Sequence, residues 1–270
     1  MAGDYTIAGG LADAQRLARQ ARVMEAATAA FLARAGLAAG TAALDVGCGD
    51  GQVTVAMARV AGPRGLVVGM DADADALAIA QAAAARAGVR ARFVRADAAR
   101  LGTAAAFDLV YARLVLIHLP DRAAVLARLW DAVAPGGYLV VQDYDADTFG
   151  VLPDLPSFAE LTRVIMGTFH AAGADVRTGA LLTQLFVQAG AGIPDGTDVT
   201  GRVEPLGAGG RVYAENVYRS LLPAALAHGI TTEDDSAATL AELAQDTARF
   251  ASSPVLWPLM IGAWKRKALA

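Results

Sequence analysis

Leu44-Asp-Val-Gly-Cys-Gly-Asp-Gly-Gln-Val-Thr54 decides how this chain is read: an apolar run carrying one acid passes into three alternating glycines and then into a helical pattern. Glycine takes backbone angles that side chains forbid, and it lets the main chain come close to a ligand. The segment therefore predicts a buried strand, a tight loop and a helix, an arrangement able to hold a nucleoside. Gly47, Gly49 and Gly51 are spaced G-x-G-x-G. A dinucleotide fingerprint has its third glycine one position later, where Gln52 stands, and the Gly-Lys-Ser/Thr of a P-loop is missing. Tight strand-to-helix turns also use glycine for purely structural reasons, so the loop needs support from its surroundings.

Outward from the loop, strand and helix patterns alternate. Ala42 to Val46, Leu66 to Met70, Arg92 to Ala96, Asp108 to Ala112 and Tyr138 to Gln142 read as strands. Gln52 to Val60, Ala74 to Ala87 with Gly88 as its stop, and Arg122 to Val133 before Pro135-Gly136 read as helices. Upstream, Leu17, Ala21, Met24, Ala27 and Phe31 recur at helical spacing within an amphipathic stretch from Leu11 to about Ala35. Such alternation predicts an α/β fold with a doubly wound parallel sheet and ligands at the carboxyl ends of its strands. After Asp143 the rhythm breaks. Ser157 to Ala172 and Ala180 to Ala189 read as helices of a cap, Val199 to Glu204 as a strand, and Leu206 to Gly210 as a flexible loop. Tyr213 to Ala227 and Ala237 to Phe250 read as helices, and Leu256 to Trp264 as a final strand. The expected division is an N-terminal helical segment over residues 1–40, a cofactor-binding core over 41–143, a helical cap over 144–197, and the rest of the fold over 198–270.

The chain has 270 residues, 55% of them hydrophobic, enough for one enlarged domain or a domain with a cap. Mean hydropathy is +0.40, yet no apolar run reaches the ~20 residues of a membrane helix. A soluble protein without a membrane partner is expected. The first residues show no basic region followed by an apolar stretch, so the expected location is cytoplasmic. Net charge is −4 and the basic residues are scattered, which argues against nucleic acid and favours a small-molecule partner. Three histidines and one cysteine lack ligand spacing, so no metal site is expected. Cys48, alone, reads as a small packed residue, and both monomer and homodimer are compatible with the sequence.

Further acids fall where the same fold would use them. Asp71 ends the second strand twenty residues after Gly51, where a carboxylate can accept from both ribose hydroxyls, a role compatible with its also capping the helix that follows. Asp97 ends the third strand and is followed by Ala98; a carboxylate and the next amide can together read the edge of adenine, while an ordinary turn also uses aspartate here.

These features resemble class I S-adenosylmethionine-dependent methyltransferases of the small-molecule type. The glycine loop with Asp45 is similar to their first motif, and Asp97-Ala98 to their adenine motif. Phe107-Asp-Leu-Val-Tyr-Ala-Arg-Leu-Val-Leu-Ile-His-Leu-Pro120 resembles their fourth strand and the turn after it, and the likeness continues through Leu129 to Tyr138 with Pro135-Gly-Gly137. It covers Tyr5 to Asp143. The resemblance implies a Rossmann-like seven-stranded sheet whose last strand, including Pro258 to Trp264, is antiparallel. It implies S-adenosylmethionine as cofactor, held by Asp45, Gly47, Cys48, Gly49, Gly51, Asp71, Ala72, Asp97, Ala98, Ala112 and Arg113, with Tyr5, Arg16 and Gln20 folding over it.

A sulfonium donor is already activated, so the protein needs to align the acceptor and, for some acceptors, to remove a proton. His118 is the candidate base, although its neighbours Ile117 and Leu119 equally suit a packed residue. Asp143 could orient His118 or attract a cationic acceptor, and Tyr144 could stack on an aromatic one. Tyr111-Ala-Arg-Leu114 stands where base amino-methylating enzymes carry Asn/Asp-Pro-Pro-Tyr/Phe and where metal-dependent catechol-type enzymes carry an aspartate. The expected activity is in-line methyl transfer to O, N or C of a small organic molecule, such as a secondary metabolite. Two alternatives stay open: a protein that binds the same cofactor for another reaction, and a nonenzymatic adenosine-ligand sensor.

Overall fold

The fold comes from a computed structural model that describes residues 28–102 and 104–269. The expected helix from Leu11 falls largely outside that range; its described end, residues 28–34, is helical (α1) and buries Phe31 and Leu32. The chain continues as β1 (Ala42–Val46), α2 (Gln52–Ala61), β2 (Leu66–Asp71), α3 (Ala74–Ala87), β3 (Arg92–Arg95), β4 (Phe107–Arg113), α4 (Arg122–Ala132) and β5 (Val133–Asp145). Then come β6 (Gly150–Val151), α5 (Pro156–Ala171), α6 (Leu182–Gln188), β7 (Gly196–Thr200), β8 (Val203–Pro205), α7 (Arg211–Ala227), α8 (Glu233–Arg249), β9 (Pro254–Leu256) and β10 (Leu259–Arg266).

Two compact units result. Of the described residues, one holds 28–143, Thr178–Val199 and 261–269, and the other Tyr144–Arg177 and Thr200–Met260. The large sheet has the order β3-β2-β1-β4-β5-β10-β7. β1 pairs in parallel with both β2 and β4, so the direction of winding reverses between β1 and β4. β10 runs against its neighbours: the amide of Lys267, just past its end, donates to Gly137 near the start of β5. This is the α/β, Rossmann-like sheet with an antiparallel final strand that the strand-helix alternation and the resemblance led one to expect.

β1 and β4 are nearly continuous apolar runs because helices cover both faces of a parallel sheet. Successive side chains point to opposite faces. Leu44, Val46, Val110 and Ala112 therefore pack with Leu126, Leu129 and Phe186, whereas Ala43, Leu109 and Tyr111 pack with Phe31, Leu32 and Met57. Phe186, on a helix expected to belong to the cap, thus packs in the sheet's own core. In the other unit Phe149 packs against Phe158 and Tyr213, with ring centroids 5.1 and 5.7 Å apart, and Tyr213 stacks on Trp257 at 3.8 Å.

Local chemistry sets the ends of the elements. Asp73 starts α3 by accepting the Asp75 amide at 2.8 Å, and Gly88 stops it in the left-handed conformation. Three expectations change. The stretch from Val199 to Glu204 is two strands, β7 and β8, lying in different sheets. Leu256 to Trp264 is likewise divided into β9 and β10, because Pro258 has no amide for a ladder and the Trp257 amide is taken by the Arg202 carbonyl at 2.9 Å. Leu206 to Gly210, expected as a flexible loop, is a close-packed turn kinked at Ala208; a Cβ on Gly210 would stand 2.7 Å from Val255 Cγ2, so its glycine serves close packing.

Candidate active site

The carboxyl ends of β1, β2, β3 and β4 gather the residues singled out from the sequence. Val46 ends β1 between Met70 and Ala112, and the chain then turns through the glycine loop into α2. Gly47, Gly49 and Gly51 all have positive φ, at 64°, 53° and 80°. Their surroundings differ. A Cβ at position 47 would meet Val115 Cγ2 at 2.5 Å, and one at position 51 would meet Ala80 Cβ at 2.7 Å, whereas one at Gly49 would meet nothing within 4 Å. The middle of the loop is therefore open where its two flanking glycines are closely packed. Cys48 is buried, and burial pushes its thiol up, out of the range of a reactive cysteine.

Asp71 fastens this loop from the next strand. One carboxylate oxygen accepts the Gly49 amide at 2.8 Å and the other accepts the Asp73 amide at 3.0 Å. Ala72 follows it on the surface, and its carbonyl accepts from Arg95 at 3.1 Å. The Ala96 amide donates to the Asp71 carbonyl at 2.9 Å, which brings the end of β3 alongside. Asp97 there accepts the Ala99 amide at 2.9 Å and so starts the single turn Ala98–Arg100.

Asp45 lies beneath the loop, only 3% exposed, and accepts the Thr54 hydroxyl at 2.5 Å. Burial pushes its carboxyl up to about 7; the Thr54 hydrogen bond and the Arg113 guanidinium oppose the rise, and the carboxylates of Asp71 and Asp50 add to it. Arg113 ends β4 and donates to Thr28 of α1 at 3.0 Å. Arg113, Thr28 and Gln52 also line a cleft running along α1, α2 and α3; Asp71, Asp97 and His118 do not line it.

A folded carboxyl held above its unfolded value contributes stability that is complete below about pH 4 and is lost as pH rises through about 7. Asp45→Asn, which cannot ionise, should therefore raise the melting temperature over wild type at pH 8 and leave it nearly unchanged at pH 4. The difference corresponds to on the order of 4 kcal/mol at most. Equal effects at both pH values in a thermal melt would refute the burial of an ionisable Asp45.

β4 leads into a second group. Leu114 has φ +56°, a conformation that a bulky residue adopts only when its surroundings hold it, and its amide is held by the Gln142 carbonyl at 2.9 Å. The turn Leu116–His118 follows. Asp143, fully buried, accepts the Ile117 amide at 3.0 Å and so fixes the turn that carries the half-buried His118. Beside it in the sheet, the Tyr111 hydroxyl donates to Gln142 at 2.6 Å, both side chains being buried. Ala112 is wholly buried in the core and can offer only backbone. Tyr144, next after Asp143, is buried and begins the second unit. Tyr5, Arg16 and Gln20 lie outside the described residues.

Residues 43–137 match the family model of the methyltransferase domain. That stretch carries a methyltransferase domain, in keeping with the class I S-adenosylmethionine-dependent type. It is similar to the trans-aconitate 2-methyltransferase of Methylobacterium radiotolerans, 39% identical over 145 residues, which are 54% of this chain and 50% of that one. It is also similar to the methyltransferase str2 of Strobilurus tenacellus, 40% identical over 80 residues, 29% of each chain. The matches thus span half or less of these relatives. Among solved structures, a candidate methyltransferase from Bacillus halodurans C-125 shares the fold, with a TM-score of 0.60 at 17% identity, covering 89% of this chain and 98% of the other.

Sequence reasoning missed three residues of this candidate site. Thr54 could have been suspected from its place one turn into α2, next to a buried acid. Nothing local marks Thr28, whose partner is 85 residues away, or the backbone of Leu114. Among the described residues no group of three or more His, Cys, Asp or Glu could hold a metal ion, and no helix is long and apolar enough to cross a membrane.

Proposed function

We propose that the chain transfers a methyl group from S-adenosylmethionine to a small organic molecule. The observation that carries this reading is the Asp71 carboxylate locked to the Gly49 amide, with open space where a Gly49 side chain would be. A carboxylate held beside an open glycine backbone suits a ribose diol, and the residues around it suit the remaining parts of the cofactor. Asp71 would accept from the ribose hydroxyls, Asp97 and Ala98 would read the adenine edge, and the loop from Gly47 to Gly51, with Cys48 and Ala72 beside it, would approach the nucleoside. Asp45, Ala112 and Arg113 would face the methionine arm, and Tyr5, Arg16 and Gln20 would close over it from residues 1–40.

When bound, S-adenosylmethionine supplies a methyl group whose C–S bonding pair stays on sulfur as the acceptor's lone pair forms the new bond. The imidazole of His118 would take the proton of a hydroxyl, carboxylic acid or amine acceptor. Asp143 would act through the backbone of the turn, and Tyr144 would stack on an acceptor that is aromatic. Methylation of trans-aconitate, which the Methylobacterium relative's name states, supports a small organic acceptor without identifying it.

The test is to incubate the purified chain with S-adenosylmethionine and a panel of small carboxylic acids, phenols and amines, following methylated product and S-adenosylhomocysteine by mass spectrometry. Both should form together with at least one acceptor class. A sample that binds S-adenosylhomocysteine yet forms neither product with any acceptor would contradict methyl transfer.

A further inference from the structure

We propose that Asp45 makes the cofactor site prefer the sulfonium donor to its thioether product, by losing its proton when the donor binds. This rests on the cofactor reading above and goes beyond it in assigning Asp45 a role in discrimination and in product release.

The geometry is that of a carboxyl kept from water and flanked by like charge. Among the described residues the one hydrogen bond to its carboxyl comes from the neutral Thr54 hydroxyl of α2, at 2.5 Å. Asp50 stands in the loop above it, and Asp71 ends β2, two residues beyond Gly69, the partner of Asp45 in the sheet. From β4, its register partner is Tyr111, whose hydroxyl is committed to Gln142, and the cation that bears on it is Arg113. The Cys48 thiol is also near and is held neutral by burial. Two carboxylates, Asp50 and Asp71, and one guanidinium, Arg113, thus bear on Asp45, and of the three acids Asp45 is the most deeply buried.

The ligands differ by one charge. S-adenosylmethionine has a sulfonium, an ammonium and a carboxylate, for a net charge of +1; S-adenosylhomocysteine has lost the sulfonium charge and is neutral overall. A cation at this site offsets the cost of a third carboxylate charge, and a thioether does not. Donor binding near neutral pH therefore expels the Asp45 proton to solvent. After transfer, when the C–S bond has broken with its electron pair left on sulfur, Asp45 takes a proton back from solvent and the product loses the attraction that held the donor.

The experiment is calorimetric titration of the full chain with each ligand separately, without acceptor, at pH 6, 7 and 8.5, in two buffers of different ionisation enthalpy. Donor affinity should rise about tenfold from pH 6 to 8.5, with a fraction of a proton released at pH 7, while product affinity changes by less than about twofold. Asp45→Asn should flatten the donor's pH dependence and reduce its preference over the product. Should that variant fold poorly, Thr54→Val keeps the carboxyl, removes its hydrogen bond and should shift the donor's rise to higher pH. Equal pH profiles for both ligands in the wild type, or an unaltered profile in Asp45→Asn, would overturn this inference alone. Failure of either ligand to bind a folded sample at any pH would overturn the cofactor reading, and this inference with it.

Discussion

Gly51→Ala should destabilise the protein by about 2–5 kcal/mol, and Gly49→Ala by only about 1–2 kcal/mol while lowering affinity for S-adenosylhomocysteine more than tenfold. Both residues have positive φ, so each substitution carries the strain of placing a Cβ in the left-handed region, roughly 1–2 kcal/mol. The rest depends on what the methyl group meets. At position 51 it would stand 2.7 Å from Ala80 Cβ and 2.9 Å from Ala80 Cα, so the backbone of α3 would have to move. Overpacking of this kind adds roughly 1–3 kcal/mol. At position 49 it would enter open space, leaving the fold nearly intact and occupying the place assigned to the nucleoside. Urea denaturation and ligand titration of the two variants separate the effects. If Gly49→Ala bound the ligand as wild type does, the open face of the loop would not be the binding face.

Asp71→Ala should lower affinity for S-adenosylhomocysteine about 100-fold, the equivalent of roughly 3 kcal/mol. The wild-type carboxylate already holds two backbone amides, at 2.8 and 3.0 Å, so it is rigid before any ligand arrives. A fixed acceptor has little ordering left to lose when ribose hydroxyls bind. Hydrogen bonds to an ionised acceptor contribute roughly 1.5–3 kcal/mol each, and the substitution also frees the Gly49 amide from the bond that shapes the loop. Asp71→Asn should be nearly as damaging. Its amide nitrogen would face one of two N–H donors in place of an acceptor. Calorimetry on a folded variant decides; an affinity within threefold of wild type would remove Asp71 from the cofactor site.

Local sequence was sufficient where the determinants lie close together in the chain. β1 and α3 have the bounds read from the sequence, because an apolar run with flanking polar residues fixes the first, and Asp73 with Gly88 brackets the second. Asp71 could be read from the sequence as a helix cap or as a cofactor contact; in the structure Asp73 takes the cap, and the Asp71 carboxylate holds the turn before it and the glycine loop together. What was not legible depends on partners brought in by folding. Asp143 reaches Ile117 across 26 positions, so the sequence allowed a role beside His118 without showing that the contact would be to the backbone of its turn. The break between β9 and β10 depends on an amide claimed by Arg202, and the close-packed turn from Leu206 to Gly210 on the nearness of Val255. Phe186 looked like any other aromatic residue of a helical stretch until the fold turned α6 onto the sheet.

Titration of the purified chain with S-adenosylhomocysteine, with NAD as the control, tests the central claim most directly, since every assigned role depends on which ligand the glycine loop accepts. Micromolar binding of S-adenosylhomocysteine with none of NAD is the expected result. No binding of S-adenosylhomocysteine, in a folded sample shown to be free of copurified ligand, would contradict it.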